Sequence, residues 1–267
     1  MGARRPETGT KLLPTRLEPP RFNSREREAY ARALDVLSAA KVDYLLGGAV
    51  ALNAHTGIWR ETKDLDVFVR PDDVAKTLEA FERRGFEVET VDPVWLSKAW
   101  LGKFFIDVIH RNANGTGPVD DGWFERAPRM EVLGRVVPVV PVEELFLSKM
   151  FVGTRDRWDG ADVLHIMFAA NGVMDWARVL EKVGEHWELL LSYLHLFGYA
   201  YPGHVDRVPA WVFDTLVERF REHAGERQTG LAFRGTMLDP VSFLVDVREW
   251  GLPDARAEAR RAAHEEG

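Results

Sequence analysis

Apolar and polar positions change period along the chain, and the changes divide it into elements. From Arg25 to Lys41, Tyr30, Ala33, Leu34 and Leu37 recur at helical spacing, which predicts a helix with one buried stripe. Val42 to Leu46 is short and β-favouring and runs directly into Gly47-Gly48, so it predicts a strand entering a tight turn. Ala49 to His55 suits a helix closed by Gly57. The period then falls to two: Leu65 to Val69 alternates, with Asp64, Asp66 and Phe68 on one face. Pro71-Asp72 opens a helix that Gly85 ends, and Phe86 to Val91 predicts a strand. Lys103 to His110 predicts another, with Phe105, Asp107 and Ile109 opposite Phe104, Ile106 and Val108. Val136 to Val140 reads as a last short strand. The order β-α-β-α-β-β predicts a mixed α/β sheet of about five strands.

After Pro141 the pattern is helical. Val142, Leu145, Phe146 and Met150 form one stripe. A longer stripe runs from Trp176 to Leu194 as a single helix, capped by Asp175. A further helix follows Pro209, and Arg256 to Glu266 predicts a fraying terminal helix. The expected organisation is a flexible basic arm over 1–25, an α/β unit over 26–141 and a helical C-terminal domain over 142–267.

Composition excludes several classes. The chain has 267 residues, 46% hydrophobic and 29% charged, an ordinary globular balance. With 35 basic and 42 acidic side chains the net charge is −7, so no global basic field attracts nucleic acid. Zero cysteines exclude disulfide scaffolds, thiolate zinc sites and thiol nucleophiles. No run of about 18 apolar residues and no signal-peptide pattern occurs, so a cytoplasmic protein with no membrane partner is expected.

The candidate chemistry lies in Gly47-Gly48 and in the stretch from Arg60 to Val69. On a strand, Asp64 and Asp66 project from the same side, roughly 7 Å apart. Two such carboxylates repel each other unless a cation lies between them, and hard oxygen ligands suit Mg²⁺ or Mn²⁺. Gly-Gly between strand and helix lets backbone approach an anion at a helix start, although it also serves as a plain turn. Asp107, inside the apolar run Phe104 to Ile109, is costly unless it is paired or bound to metal. Lys149 falls on the apolar side of its helix, where it either snorkels to solvent or reaches a phosphate. Asp159 and Asp162 suit ion pairing with Arg155 or Arg157, and His55 suits a cap or core-edge role.

Gly47-Gly48, sixteen residues ahead of Asp64-x-Asp66 and followed by Asp107, resembles the nucleotidyltransferase fold of the DNA polymerase beta superfamily. The nearer likeness is to small bacterial members: lincosamide and aminoglycoside nucleotidyltransferases and abortive-infection toxins. Ser148-Lys149 through Asp162 is also similar to uncharacterised bacterial nucleotidyltransferases. The resemblance covers roughly residues 42 to 168. It implies a mixed-sheet nucleotidyltransferase palm followed by a helical C-terminal region, with the catalytic domain over 26–141. It implies that Asp64, Asp66 and Asp107 are catalytic and hold Mg²⁺ (or Mn²⁺), and that Gly47, Gly48, Arg60, Thr62 and Lys149 contact nucleotide. The implied partners are an NTP (ATP-binding is one expectation) and an unidentified acceptor hydroxyl on a small molecule, RNA or protein, with an RNA or toxin–antitoxin partner as further candidates. Many members carry Gly-Ser where this chain has Gly47-Gly48. The alternatives are a non-catalytic nucleotide- or partner-binding relative of the same fold and, more remotely, a glycosyltransferase using Asp-x-Asp.

Overall fold

The computed structural model of the chain describes residues 20–224 and 230–265. The arm predicted over residues 1–25 lies outside the described residues as far as residue 19. Helix α1 (Ser24–Ala39) begins behind Asn23, whose side chain accepts from the Arg25 and Glu26 amides while Glu26 reaches back to the Asn23 amide. That reciprocal capping box fixes the start of the helix. Strand β1 (Leu45–Leu46) is shorter than its β-favouring sequence suggested and leads into α2 (Gly48–Thr56), which Gly57 closes with φ 75°. Next come β2 (Asp64–Phe68), α3 (Val74–Glu82) and β3 (Glu87–Asp92). A tight hairpin, β4 (Leu96–Leu101) and β5 (Phe104–Ile109), completes the sheet.

These strands form one five-stranded mixed sheet in the order β1-β2-β5-β4-β3. β2 and β5 are parallel, and the other neighbours are antiparallel. One face, carrying Leu65, Val67, Ala99, Ile106 and Val108, is fully buried beneath α1 and α3. The other face carries the aspartates. Strand β4 was not foreseen, although Gly102-Lys103 is a two-residue hairpin loop with Gly102 at φ 61°. The predicted strand at Val136–Val140 is not the fifth member of this sheet. Strand β7 (Arg135–Pro138) pairs instead with β6 (Arg129–Val132), beyond α4 (Asp121–Arg126), and only Val139 bridges to Leu46.

The helical region opens with α5 (Val142–Met150) and α6 (Gly160–Ala169), which pack on each other and on α2. The stripe from Trp176 to Leu194 is two helices, α7 (Trp176–Val183) and α8 (Trp187–Ala200). Gly184 sits between them at φ 50°, a conformation that ends the first helix. Asp175 caps α7, accepting from the Arg178 amide at 3.1 Å. Then follow α9 (Ala210–His223), α10 (Gly235–Leu238), α11 (Leu244–Arg248) and α12 (Ala255–Glu265). Among the described residues no helix is long and apolar enough to cross a membrane.

Helix α12 does not fray away from the body. Arg256 and Arg260 donate to the Ala113 carbonyl at 3.1 and 2.8 Å, and Arg260 also pairs with Asp92 at 2.7 Å. Gly115, at φ 93°, lets the helix come so close that a Cβ there would lie 2.8 Å from the Arg260 amide nitrogen.

Candidate active site

Parallel pairing of β2 with β5 sets Asp66 beside Asp107, and the strand period puts Asp64 on the same face. The three carboxylates each offer an oxygen, and these oxygens lie within 4.8 Å of one another. Burial, followed by repulsion from Asp64 and then Asp107, pushes Asp66 up to about 7. Burial also pushes Asp107 upward, partly offset by Lys98. Lys98 stands directly across from Asp107 in the β4–β5 register; its Nζ lies 2.5 Å from Asp107 Oδ1 and 4.0 Å from the centre of the Phe105 ring. The sequence left the partner of Asp107 open between an ion pair and a metal. The hairpin supplies this lysine, which only recognition of the Gly102-Lys103 loop would have located.

Gly47 and Gly48 differ in role. A Cβ on Gly47 would overlap the Phe68 ring, so this glycine lets β2 pack against the turn. Gly48 has φ 49°, and a Cβ there would overlap Asp66 Oδ2. A serine at position 48 would displace the carboxylate, which is the physical reason this backbone carries Gly-Gly. The amides at the start of α2 thus lie next to the carboxylates.

A cleft of about 330 Å³ opens over this face, lined at one end by Gly48, Asp64, Asp66, Asp107, Lys149, Arg157 and Asp159. Gly47, Arg60 and Thr62 are not among the residues lining it. Thr62 donates its hydroxyl to Asp64, and Arg60 pairs with Asp162 at 2.6 Å and reaches His165. Lys149 is buried, with its ammonium 2.8 Å from Asp159 and 2.7 Å from Asp162. Arg157 meets Asp159 through two nitrogens, each at 3.0 Å. Although Asp159 is buried, hydrogen bonds from Arg157 and Lys149 hold it below the usual carboxylate range. Sequence reasoning anticipated the Arg157–Asp159 pair but placed Lys149 apart from it. His55 bonds the Val140 carbonyl at 2.8 Å and sits at the core edge.

What shows the class of this protein is its family: it is a nucleotidyltransferase. The family described as uncharacterised nucleotidyltransferase matches residues 23–200, well over half the chain, and the chain belongs to it. No curated protein matches the chain. Among solved structures, the antibiotic-resistance factor ANT(2'')-Ia is 16% identical, with 67% of this chain and 100% of that one covered and a TM-score of 0.44. The lincosamide antibiotic adenylyltransferase LnuA, lincomycin-bound, is 18% identical, with 54% and 96% covered and a TM-score of 0.39. JHP933 from Helicobacter pylori is 10% identical, with 75% and 97% covered and a TM-score of 0.36.

Proposed function

We propose that this chain moves a nucleoside monophosphate from an NTP to a hydroxyl of an acceptor, with Mg²⁺ or Mn²⁺ at the three aspartates. The observation that carries the reading is the convergence of Asp64, Asp66 and Asp107 beside the start of α2. The donor set fits such an ion: three carboxylates face a single adjacent lysine, Lys98, while Lys149 is committed to Asp159 and Asp162. Three negative charges and one positive leave −2 when all are ionised. When bound, divalent ions would neutralise the charge that develops on the phosphate oxygens. Asp64 and Asp66 would hold them from β2, and Asp107 from β5.

The chain's own groups do the rest. The first amides of α2 present unsatisfied donors and the positive end of the helix dipole to phosphate. Arg157, on the cleft wall with a side chain 70% exposed, is placed to meet phosphate, and Lys149 adds its field from behind Asp159. Thr62 orients Asp64, and Arg60 anchors Asp162. The acceptor oxygen bonds to the α-phosphorus as the bond to the pyrophosphate oxygen breaks, Asp107 takes the hydroxyl proton, and pyrophosphate leaves. The reading is tested by Mn²⁺ binding and by pyrophosphate release from NTPs in the presence of cell extract. Asp107→Asn should lower release by about 10³-fold, a loss of several kcal/mol of transition-state stabilisation. Full release by that variant would contradict the assignment.

A further inference from the structure

The cleft has a second end, and its chemistry is opposite to the first. Every acidic residue on its wall belongs to the aspartate end: Asp64, Asp66, Asp107 and Asp159. Beyond Phe68 and Ile109 the wall includes the loop after β5, the turn before β4, and the C-terminal segment, with the loop after α5 running alongside. It offers Arg111, Asn112, Asn114 and Arg256 as polar groups, with Trp95 and Leu238 among the apolar ones. Arg256 donates from Nη2 to the Ala113 carbonyl and is bonded to no carboxylate among the described residues. Burial, and then Arg260, push Arg256 downward, an effect partly offset by Asp92 and Asp254. Asn114 is 4% exposed; its Oδ1 accepts from Thr116, but its Nδ2 has no partner among the described residues.

We infer that this end binds the acceptor, and that the acceptor is a small hydroxyl compound carrying a phosphate or carboxylate group. The inference rests on the nucleotidyl-transfer reading, which puts the reacting hydroxyl at Asp107. From there the acceptor's carbon skeleton runs along Trp95 and Leu238, and its anionic group meets Arg256 and Arg111. Guanidinium forks match planar or tetrahedral oxyanions, and among the described residues no carboxylate lines the wall at this end to pair an ammonium, so polycationic acceptors are selected against. Asp239 fixes the roof, accepting the Arg155 amide at 3.0 Å and the Val241 and Ser242 amides at 2.9 and 3.0 Å.

The test is calorimetric titration of inorganic phosphate into the full chain already saturated with Mg²⁺ and an α,β-methylene NTP analogue. One additional phosphate site is expected, weakened at least tenfold by Arg256→Gln. Arg260→Gln removes another bond from α12 to Ala113 but no residue of the cleft wall, so it should leave phosphate affinity within about twofold. Absence of phosphate binding with the analogue in place would overturn the inference. So would competition between phosphate and analogue, which would give Arg256 to the triphosphate, or equal weakening by the two variants, which would make Arg256 structural. Failure of the analogue to bind wild-type protein in the first titration would instead count against the nucleotidyl-transfer reading itself.

Discussion

Gly48 and Asp66 are coupled by contact: the one residue exists as glycine because the other's carboxylate occupies the space of its side chain. Gly48→Ala therefore strains a backbone at φ 49° and pushes Asp66 aside. The expected cost is about 1–3 kcal/mol of stability, together with a loss of Mn²⁺ affinity larger than the stability change alone explains. Denaturant melts beside Mn²⁺ titrations check this; unchanged metal affinity would separate the two residues. Lys149→Ala has a different signature. It removes the ammonium shared by Asp159 and Asp162, which keep Arg157 and Arg60 as partners, and is expected to cost about 1–3 kcal/mol, so its effect on NTP must be read on protein shown to be folded. At this scale the aspartates were legible from their spacing, because period two places Asp64 and Asp66 together whatever the sheet. The bonds of Lys149 were not legible. They depend on how α5 meets α6, which no local pattern encodes.

At the scale of elements, strand alternation and Gly caps located α1, α2, β2, α3 and β5 within a few residues, since each buries one face and ends at a glycine, a proline or the next turn. Strand β4 escaped because Ser97 faces inward and Lys98 outward, which blurs the apolar alternation; only the Gly102-Lys103 loop announced it. The division at Gly184 escaped because the apolar stripe continues in phase on both sides. The docking of α12 rests on Gly115, whose missing side chain admits the helix backbone. Gly115→Ala, at φ 93° and against the Ala259–Arg260 backbone, should loosen α12 by about 1–3 kcal/mol. Hydrogen exchange should then quicken in α12 and the 111–116 loop while α1 stays protected, whereas uniform quickening would make α12 part of the global fold.

For the whole molecule, the crowding of like charges makes stability depend on pH and on metal. Asp66 is raised from 3.8 to about 7 in the fold, so its contribution is fully present below about pH 4 and is lost as pH rises through 7. In EDTA the melting temperature of wild type minus that of Asp66→Asn should therefore fall by several degrees between pH 5 and pH 8. Saturating Mg²⁺ should reverse most of that fall above pH 7, because an ion bound only by the folded state stabilises it. A pH-independent difference, unaffected by Mg²⁺, would show that the carboxylates do not share one site.

The most direct measurement of the central claim follows the α-phosphate. Wild-type and Asp64→Asn proteins would be incubated with each α-³²P-labelled NTP, Mg²⁺ and a metabolite extract, and the label traced. The account predicts that wild type moves label from one NTP onto an acceptor with release of unlabelled pyrophosphate, and that Asp64→Asn, still folded, moves none above background. Equal transfer by the two proteins, or none by wild type with any NTP, would contradict it.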